Sequence, residues 1–196
     1  MYELMILSIL VRWSTHGYRI ARIINDMIGP YAKMSNGRLY PLLSQLEAQG
    51  MIVAVQAIGR DAKGRRNQQS YQITDDGRVR FHELMMDTTS NPGEYRQIFL
   101  QKVPTLRYLK PAERLYLIDH YINYCQAHIL HQMAEREDIQ GRSAQIEPVH
   151  IEAVASVMQH LIDQWQLELD WAKSLRQQEL SQAEGIDAKG KEMRHG

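Results

Sequence analysis

The sequence has one cysteine, Cys125, only two phenylalanines and no net charge, and each shortage excludes a class of protein. A single cysteine cannot form an intrachain disulfide, which excludes a disulfide-stabilised secreted scaffold and favours a reducing cytoplasm. The most apolar stretch, at the amino terminus, is too short to cross a bilayer and has no basic leader. With 44% hydrophobic and 23% charged residues, the 196 residues predict one ordinary globular domain or two small ones.

Motifs that carry chemistry are also missing. We find no phosphate-binding loop, serine-nucleophile elbow or zinc-protease motif, and no pair of acids at a catalytic spacing, so the sequence predicts neither an enzyme nor a cofactor. Cys125, His128 and His131 recur every three residues along one helix, but at that spacing they converge on a metal only with help from another helix. We therefore predict no metal site. A redox role for Cys125 is also disfavoured, because a buried thiol without cationic neighbours is usually inert.

The neutral total conceals two halves of opposite charge. Residues 1–90 contain 11 basic and 8 acidic residues, a net charge of +3, whereas residues 91–196 contain 12 and 15, a net charge of −3. This weakly favours a basic amino-terminal part that faces a partner.

Apolar periodicity predicts three helices in the first 50 residues. The stretch Tyr2–Trp13 is apolar nearly all round and should be buried. After the polar break Ser14–Gly17, a second helix has a core stripe and ends at Gly29-Pro30. A third, Ser35–Gly50, follows after a short turn, so the last two form a helix-turn-helix pair. The stripe of the second helix consists of Ile20, Ile23, Ile24 and Met27.

The third helix has an apolar back and a hydrogen-bonding front. Its leucines recur at the spacing of one helical face, and Gly50 stands where a glycine commonly ends a helix. Such a helix fits a major groove, although many ordinary amphipathic helices share the pattern. Gln45 would suit an adenine. The predicted DNA contacts from this element are Ser35, Asn36, Arg38, Tyr40, Ser44 and Gln45.

Two β-rich segments with a basic loop follow. Met51–Ile58 and Gln68–Thr74 are predicted strands, and Thr74 should cap another helix that begins at Asp75. The intervening loop, Gly59–Gln68, contains four basic residues against one acid. A hairpin tip of this kind suits phosphate contact, and the alternative is a solvated hairpin loop. The predicted phosphate contacts are Arg60, Lys63, Arg65 and Arg66.

The order of three helices, a strand, a basic loop, a strand and a helix is the winged-helix plan. Three segments also resemble the PadR family of bacterial transcriptional regulators: HGYRI at His16–Ile20, GRLYPLLSQLEAQGMI at Gly37–Ile52 and YQITDDGR at Tyr71–Arg78. The resemblance covers about residues 1–85. It implies a winged-helix DNA-binding domain in a dimeric regulator, usually a repressor, and assigns residues 1–88 to that domain.

The remainder of the chain is predicted to be helical. Residues 89–110 are a predicted linker with a short helix, residues 111–182 a coiled-coil-like dimerisation domain, and residues 183–196 a disordered tail. The fold class is therefore mostly α. Two apolar stripes joined by a short loop predict an antiparallel helix pair, whose surplus apolar surface a second subunit would cover. This domain resembles that of the longer PadR-like regulators. Its predicted dimer contacts are Ile151, Val154, Met158, Leu161, Trp165 and Leu169.

The resemblance also implies an effector, since family members of this length often release DNA on binding phenolic acids. Such a ligand needs an apolar slot and a cation or donor for its carboxylate. The candidates are Trp13, Tyr95, Arg96 and His150, which could equally be core aromatics and surface charges. Arg96 is followed by Gln97 and Ile98 in place of the acidic pair common in the family. The sequence thus predicts a homodimeric repressor on an inverted-repeat DNA operator, relieved by a small aromatic effector. The alternative is a winged-helix scaffold that binds protein instead of DNA.

Overall fold

A computed structural model describes residues 1–30, 33–55, 69–141 and 148–192, without side-chain detail at 148–150 and 183–192. Two compact units, Met1–Thr105 and Leu106–Gly196, divide the chain. Within the described residues, no helix has the length and apolar character needed to span a membrane. The elements, in chain order, are α1 (Tyr2–Leu10), β1 (Thr15–His16), α2 (Gly17–Ile28), α3 (Asn36–Ala48), β2 (Ile52–Val55), β3 (Ser70–Ile73), α4 (Asp75–Met86), α5 (Tyr95–Lys102), α6 (Pro111–Gly141) and α7 (Pro148–Glu192).

The helices of the amino-terminal unit are those that the periodicity predicts. In α1 all seven residues from Leu4 to Leu10 are buried, which confirms that this helix has almost no exposed face. In α2 the core residues are Ile20, Ala21 and Ile24, whereas Met27 is 40% exposed, so the apolar stripe ends one turn early. α3 buries Leu39, Leu43 and Leu46 in the core.

The sheet has one strand more than predicted. β2 and β3 pair antiparallel as expected, with Ile52 opposite Ile73. However, β1 pairs with the other edge of β3, and Thr15 lies opposite Tyr71, so the strand order is β1-β3-β2. The prediction of a two-stranded wing therefore missed β1. A strand of two residues is too short to show alternation, and only its partner reveals it.

The segment predicted as a linker contains α5, which packs into the amino-terminal unit. Tyr95 and Phe99 are buried, with ring centroids 6.3 Å apart. Lys102 is also buried, and its Nζ donates to the carbonyl of Asp87 at the end of α4. Burial lowers the pKa of Lys102 to about 8. The buried Thr105 hydroxyl reaches back to Met85, so the compact unit continues to this residue.

The carboxy-terminal unit is an antiparallel pair of long helices, as predicted. Contacts between α6 and α7 advance along one helix while they retreat along the other: Arg114 meets Glu179, Asp119 meets Arg176, and Arg136 meets Gln159. Both helices begin with proline, whose fixed φ suits a first helical position. α7 remains helical to Glu192, through most of the segment predicted to be a disordered tail.

The predicted dimerisation stripe divides between two surroundings. Leu169 is buried at 5% exposure inside the α6–α7 pair, and Trp165 stacks on His128 of α6, with ring centroids 4.1 Å apart and planes 9° apart. Leu169 is therefore covered within its own chain, whereas Trp165 stays partly exposed and remains a predicted dimer contact. Val154 remains 39% exposed. Cys125 is buried and reduced on α6, and no cluster of three metal-ligating side chains occurs in the described part of the chain.

Candidate nucleic-acid interface

On the solvent-exposed side of α3, small side chains lie along the centre and large side chains lie along the two margins. At 3.6 residues per turn, Gly37, Ser44 and Ala48 fall near the middle of the exposed arc. Tyr40 lies towards one margin, and Arg38 and Gln45 lie towards the other. Every DNA-binding candidate of this element is exposed: Ser35, Asn36, Arg38, Tyr40, Ser44 and Gln45. A centre of small residues lets a helix backbone approach closely whatever it contacts.

Neighbouring helices orient the two margins. On one side, the Tyr40 ring lies against Gly17, the first residue of α2, where a Cβ atom would come within 3.0 Å of it. On the other, the Arg38 guanidinium lies over the ring of Tyr2, 5.6 Å from its centroid. The glycine of the HGYRI motif therefore makes room for the tyrosine of the LYP motif, a pairing that the separate motifs do not reveal.

The turn before α3 is held by Asn25, which the sequence pattern places on the outer face of α2. Its Oδ1 accepts a hydrogen bond from the Met34 backbone N–H at 2.6 Å, and its Nδ2 donates to the Met34 carbonyl at 3.3 Å. Met34 is 2% exposed, so both backbone groups need a protein partner. Asn25 thus sets where α3 begins. The helical spacing gave it no distinct signal because its partner lies across a turn.

We expect Asn25→Ala to lower the free energy of unfolding by about 1–3 kcal/mol, because the buried Met34 N–H loses its acceptor. The matched control is Asp26→Ala, one position along, at an exposed site. Urea unfolding of both variants measures the difference. Equal losses in the two would show that Asn25 does not hold the turn.

The end of α3 is fixed by its backbone and by the sheet. Gly50 has φ +74, and the N–H groups of Gly50 and Met51 donate to the carbonyls of Glu47 and Leu46, each at 2.9 Å. This is the Schellman termination, which confirms Gly50 as the residue that ends the helix. Glu47 Oε1 also accepts from the Ala54 N–H of β2 at 3.2 Å.

Thr74 and Gly77 lock α4 onto that end. The Thr74 hydroxyl lies 2.6 Å from the Gly50 carbonyl and 3.0 Å from that of Met51, and it accepts the Gly77 N–H at 3.0 Å. A Cβ atom on Gly77 would lie 1.9 Å from the Met51 carbonyl oxygen. The threonine is therefore a helix cap, as predicted, and also a clamp on α3, which the sequence alone does not show.

The basic loop lies outside the described residues. Arg60, Lys63, Arg65 and Arg66 therefore remain predictions from the sequence. The strands at its base are described, and Tyr71 of β3 is 5% exposed beside α3. Burial raises the pKa of Tyr71, as do the charges of Glu47 and Tyr40, so its hydroxyl stays protonated at neutral pH.

The effector candidates occupy different surroundings. Tyr95 is 2% exposed between Phe99 and Lys102, so it is a core residue, and its assignment as a ligand contact is corrected. Trp13 is 45% exposed in the turn after α1, where the Arg12 guanidinium lies 5.9 Å from the ring centroid. Arg96 is exposed on α5. The side chain of His150 lies outside the described residues.

Comparison with known proteins gives matches of low identity over most of the chain. Bacillus subtilis PadR in complex with operator DNA is 17% identical, covering 90% of this chain and 96% of that one, with a TM-score of 0.41. The complex of the same protein with p-coumaric acid matches with a TM-score of 0.37, 17% identity and coverage of 90% and 94%. A PadR-like regulator from Bacillus cereus is 21% identical, with coverage of 93% and 99% and a TM-score of 0.37. No curated protein matches.

The family comparison is specific to the amino-terminal unit. The model of the transcriptional regulator PadR-like family matches residues 6–83, the segment that runs from α1 into α4. That segment contains α3, the sheet and the Thr74–Gly77 clamp. Over these residues the chain is similar to the PadR-like family of transcriptional regulators.

Proposed function

We propose that this chain is a sequence-specific DNA-binding regulator that places α3 in the major groove. The observation that carries the proposal is the exposed arc of α3, small at its centre and held at both ends by residues outside it. A helix that is rigidly positioned and closely approachable is what groove readout requires. On this arrangement Ser44 and Tyr40 face the base pairs, while Ser35, Asn36 and Arg38 contact the backbone near the helix start. Gln45 reads a base from the margin of the arc.

The proposed regulator is a homodimer joined through its helical unit. In the chain as described, α7 leaves Val154, Val157 and Leu167 exposed at 39%, 58% and 72%, and a second subunit would cover these side chains. Ile151, Met158 and Leu161 are half-buried and border this surface. A two-fold axis would relate two α3 helices, so the operator would be an inverted repeat with half-sites about 34 Å apart or a multiple of that distance.

The proposed regulator is a repressor that a small aromatic acid releases from DNA. Trp13 supplies an exposed ring face, and the neighbouring Arg12 supplies a cation for a carboxylate. Arg96 is a second exposed cation in the same unit. Trp13 and Arg96 remain the proposed ligand contacts of this unit, and His150 remains a prediction from the sequence.

One titration series tests the proposal. In fluorescence anisotropy, the protein should bind a labelled duplex taken from upstream of its gene. An unlabelled operator duplex should compete for this binding far better than an unlabelled duplex of random sequence. Added 4-hydroxycinnamate should weaken that binding, while cinnamyl alcohol, which lacks the carboxylate, should not. Equal affinity for all duplexes would contradict sequence-specific recognition. Unchanged affinity in 4-hydroxycinnamate would contradict the effector and leave DNA recognition standing.

The wing has its own expected result. Replacing Arg65 and Arg66 with alanine should weaken binding to every duplex. It should also reduce the slope of log K against log[salt] by up to about 2 per wing, because fewer phosphate contacts form and fewer counterions are released on binding. The control removes two positive charges at exposed positions of the helical unit, Lys110→Ala with Lys173→Ala. An unchanged slope in the wing variant would exclude the wing from the interface. DNA binding by the natural protein that does not depend on salt concentration would exclude it as well.

A further inference from the structure

A cleft lies beside α3 on the side away from Tyr40, between α1 and α4. It encloses about 550 Å³, within the size range of small-molecule sites. α3 and the residues that follow it form one wall, and α1 and α4 form the other. The lining residues are Glu3, Ile6, Leu42, Gln45, Leu46, Gln49, Met51, Arg80 and Glu83. All of them belong to the amino-terminal unit.

The polar wall of the cleft carries one negative charge in excess. Arg80 donates to both oxygens of Glu3, at 2.8 Å and 3.2 Å, and to Oε2 of Glu83 at 3.0 Å. These hydrogen bonds, that to Glu3 above all, raise the pKa of Arg80, so the guanidinium stays charged. The Arg80 guanidinium thus pairs with both carboxylates, and its N–H groups donate to them. Glu83 is the more exposed of the two, with 56% of its side chain accessible against 33% for Glu3.

The opposite wall supplies apolar surface and amides. Leu42 and Met51 are half-buried and line this wall, and Gln45 of α3 and Gln49 at its end supply the amides. A flat apolar body fits between these walls, and a cationic group at one end meets Glu83. An anionic ligand would place its carboxylate against Glu3 and Glu83, while Arg80, the cation of the lining, is already engaged with both. The cleft therefore differs in charge preference from a phenolic-acid site.

We propose that this cleft is a binding site for a small aryl cation, such as an arylamidine or arylalkylamine. The cation pairs with Glu83, and the ring lies on the side chains of Leu42 and Met51. A charged hydrogen bond in a partly enclosed site is stronger than a neutral one, so charge decides selectivity here. The inference does not depend on DNA binding, because every group that it uses lies in the described cleft.

Calorimetry on the full chain tests the site with three probes of nearly the same shape: benzamidine, benzamide and benzoate. We expect benzamidine to bind at least about tenfold more tightly than benzamide, and benzoate to show no binding at this site. Glu83→Gln should weaken benzamidine binding about tenfold or more and leave benzamide unchanged. The matched control is Glu94→Gln, which makes the same change at an exposed position on the approach to α5.

Amide chemical shifts locate the binding. Benzamidine should shift resonances of residues in α1, the second half of α3 and α4, and these shifts should disappear in Glu83→Gln. Benzamidine that binds the Gln variant as tightly as the natural chain would overturn the proposal, as would equal affinity for benzamidine and benzoate. A fold lost in Glu83→Gln would be visible as collapsed amide dispersion. In that case Gln49→Glu, which leaves the ion pairs intact and adds a carboxylate to the lining, should tighten benzamidine binding and leave benzamide binding unchanged. An unchanged affinity for benzamidine would overturn the proposal.

Discussion

Replacing Gly77 with alanine is expected to unfold most of the amino-terminal unit, with a loss of at least about 4 kcal/mol in free energy of unfolding. The added Cβ would lie 1.9 Å from the Met51 carbonyl oxygen and 2.8 Å from Cγ1 of Ile73. The Ile73 side chain could move aside. The Met51 carbonyl cannot, because it accepts from the backbone N–H of Thr74 at 3.1 Å and from its hydroxyl at 3.0 Å.

Hydrogen-exchange mass spectrometry measures the loss of amide protection in each segment of the chain. In Gly77→Ala the amides of α3 and α4 should lose protection, whereas those of α6 and α7 should keep theirs. Gly93→Ala is the matched control, because a Cβ there meets nothing within 4 Å, and its effect should stay within about 0.5 kcal/mol. Normal protection of α3 in the Gly77 variant would show that α4 does not clamp the helix end.

The second large effect is expected from Trp165→Ala in the helical unit. The indole stacks on His128 and meets Tyr124 edge-on, with ring centroids 5.6 Å apart. Truncation to alanine should therefore cost about 3 kcal/mol in free energy of unfolding, somewhat below the loss for a fully buried tryptophan. Because the proposed dimer is built on the α6–α7 pair, the variant should also dissociate at micromolar concentration and lose operator binding.

Sedimentation and operator titration on one sample decide this. Lys173→Ala is the control on the same helix, since that side chain is exposed and lies outside the apolar surface proposed to join the subunits. Its unfolding free energy should change by less than about 0.5 kcal/mol. A Trp165 variant that stays dimeric and binds DNA normally would contradict the proposed link between helix pairing and DNA affinity.

Linear patterns predicted the elements because their causes are local. The apolar repeats of α2 and α3, the prolines that open α6 and α7 and the glycine after α3 each act within a turn or two of chain. Stripe spacing likewise predicted that α6 and α7 pair antiparallel. It did not show which partner each apolar residue meets, because one stripe can face a helix of the same chain or of another. Leu169, a predicted dimer contact, is buried within its own chain.

Composition, periodicity and motifs by themselves determined the class of this protein: a winged-helix unit that resembles the PadR-like family, followed by a helical unit. Only the tertiary structure decided how α3 is held. Asn25 reaches Met34 across nine residues, Thr74 reaches Gly50 across twenty-four, and Glu3 pairs with Arg80 across seventy-seven. A hydrogen bond between distant residues leaves no periodic trace, since it depends on where two segments meet and not on the neighbours of either along the chain.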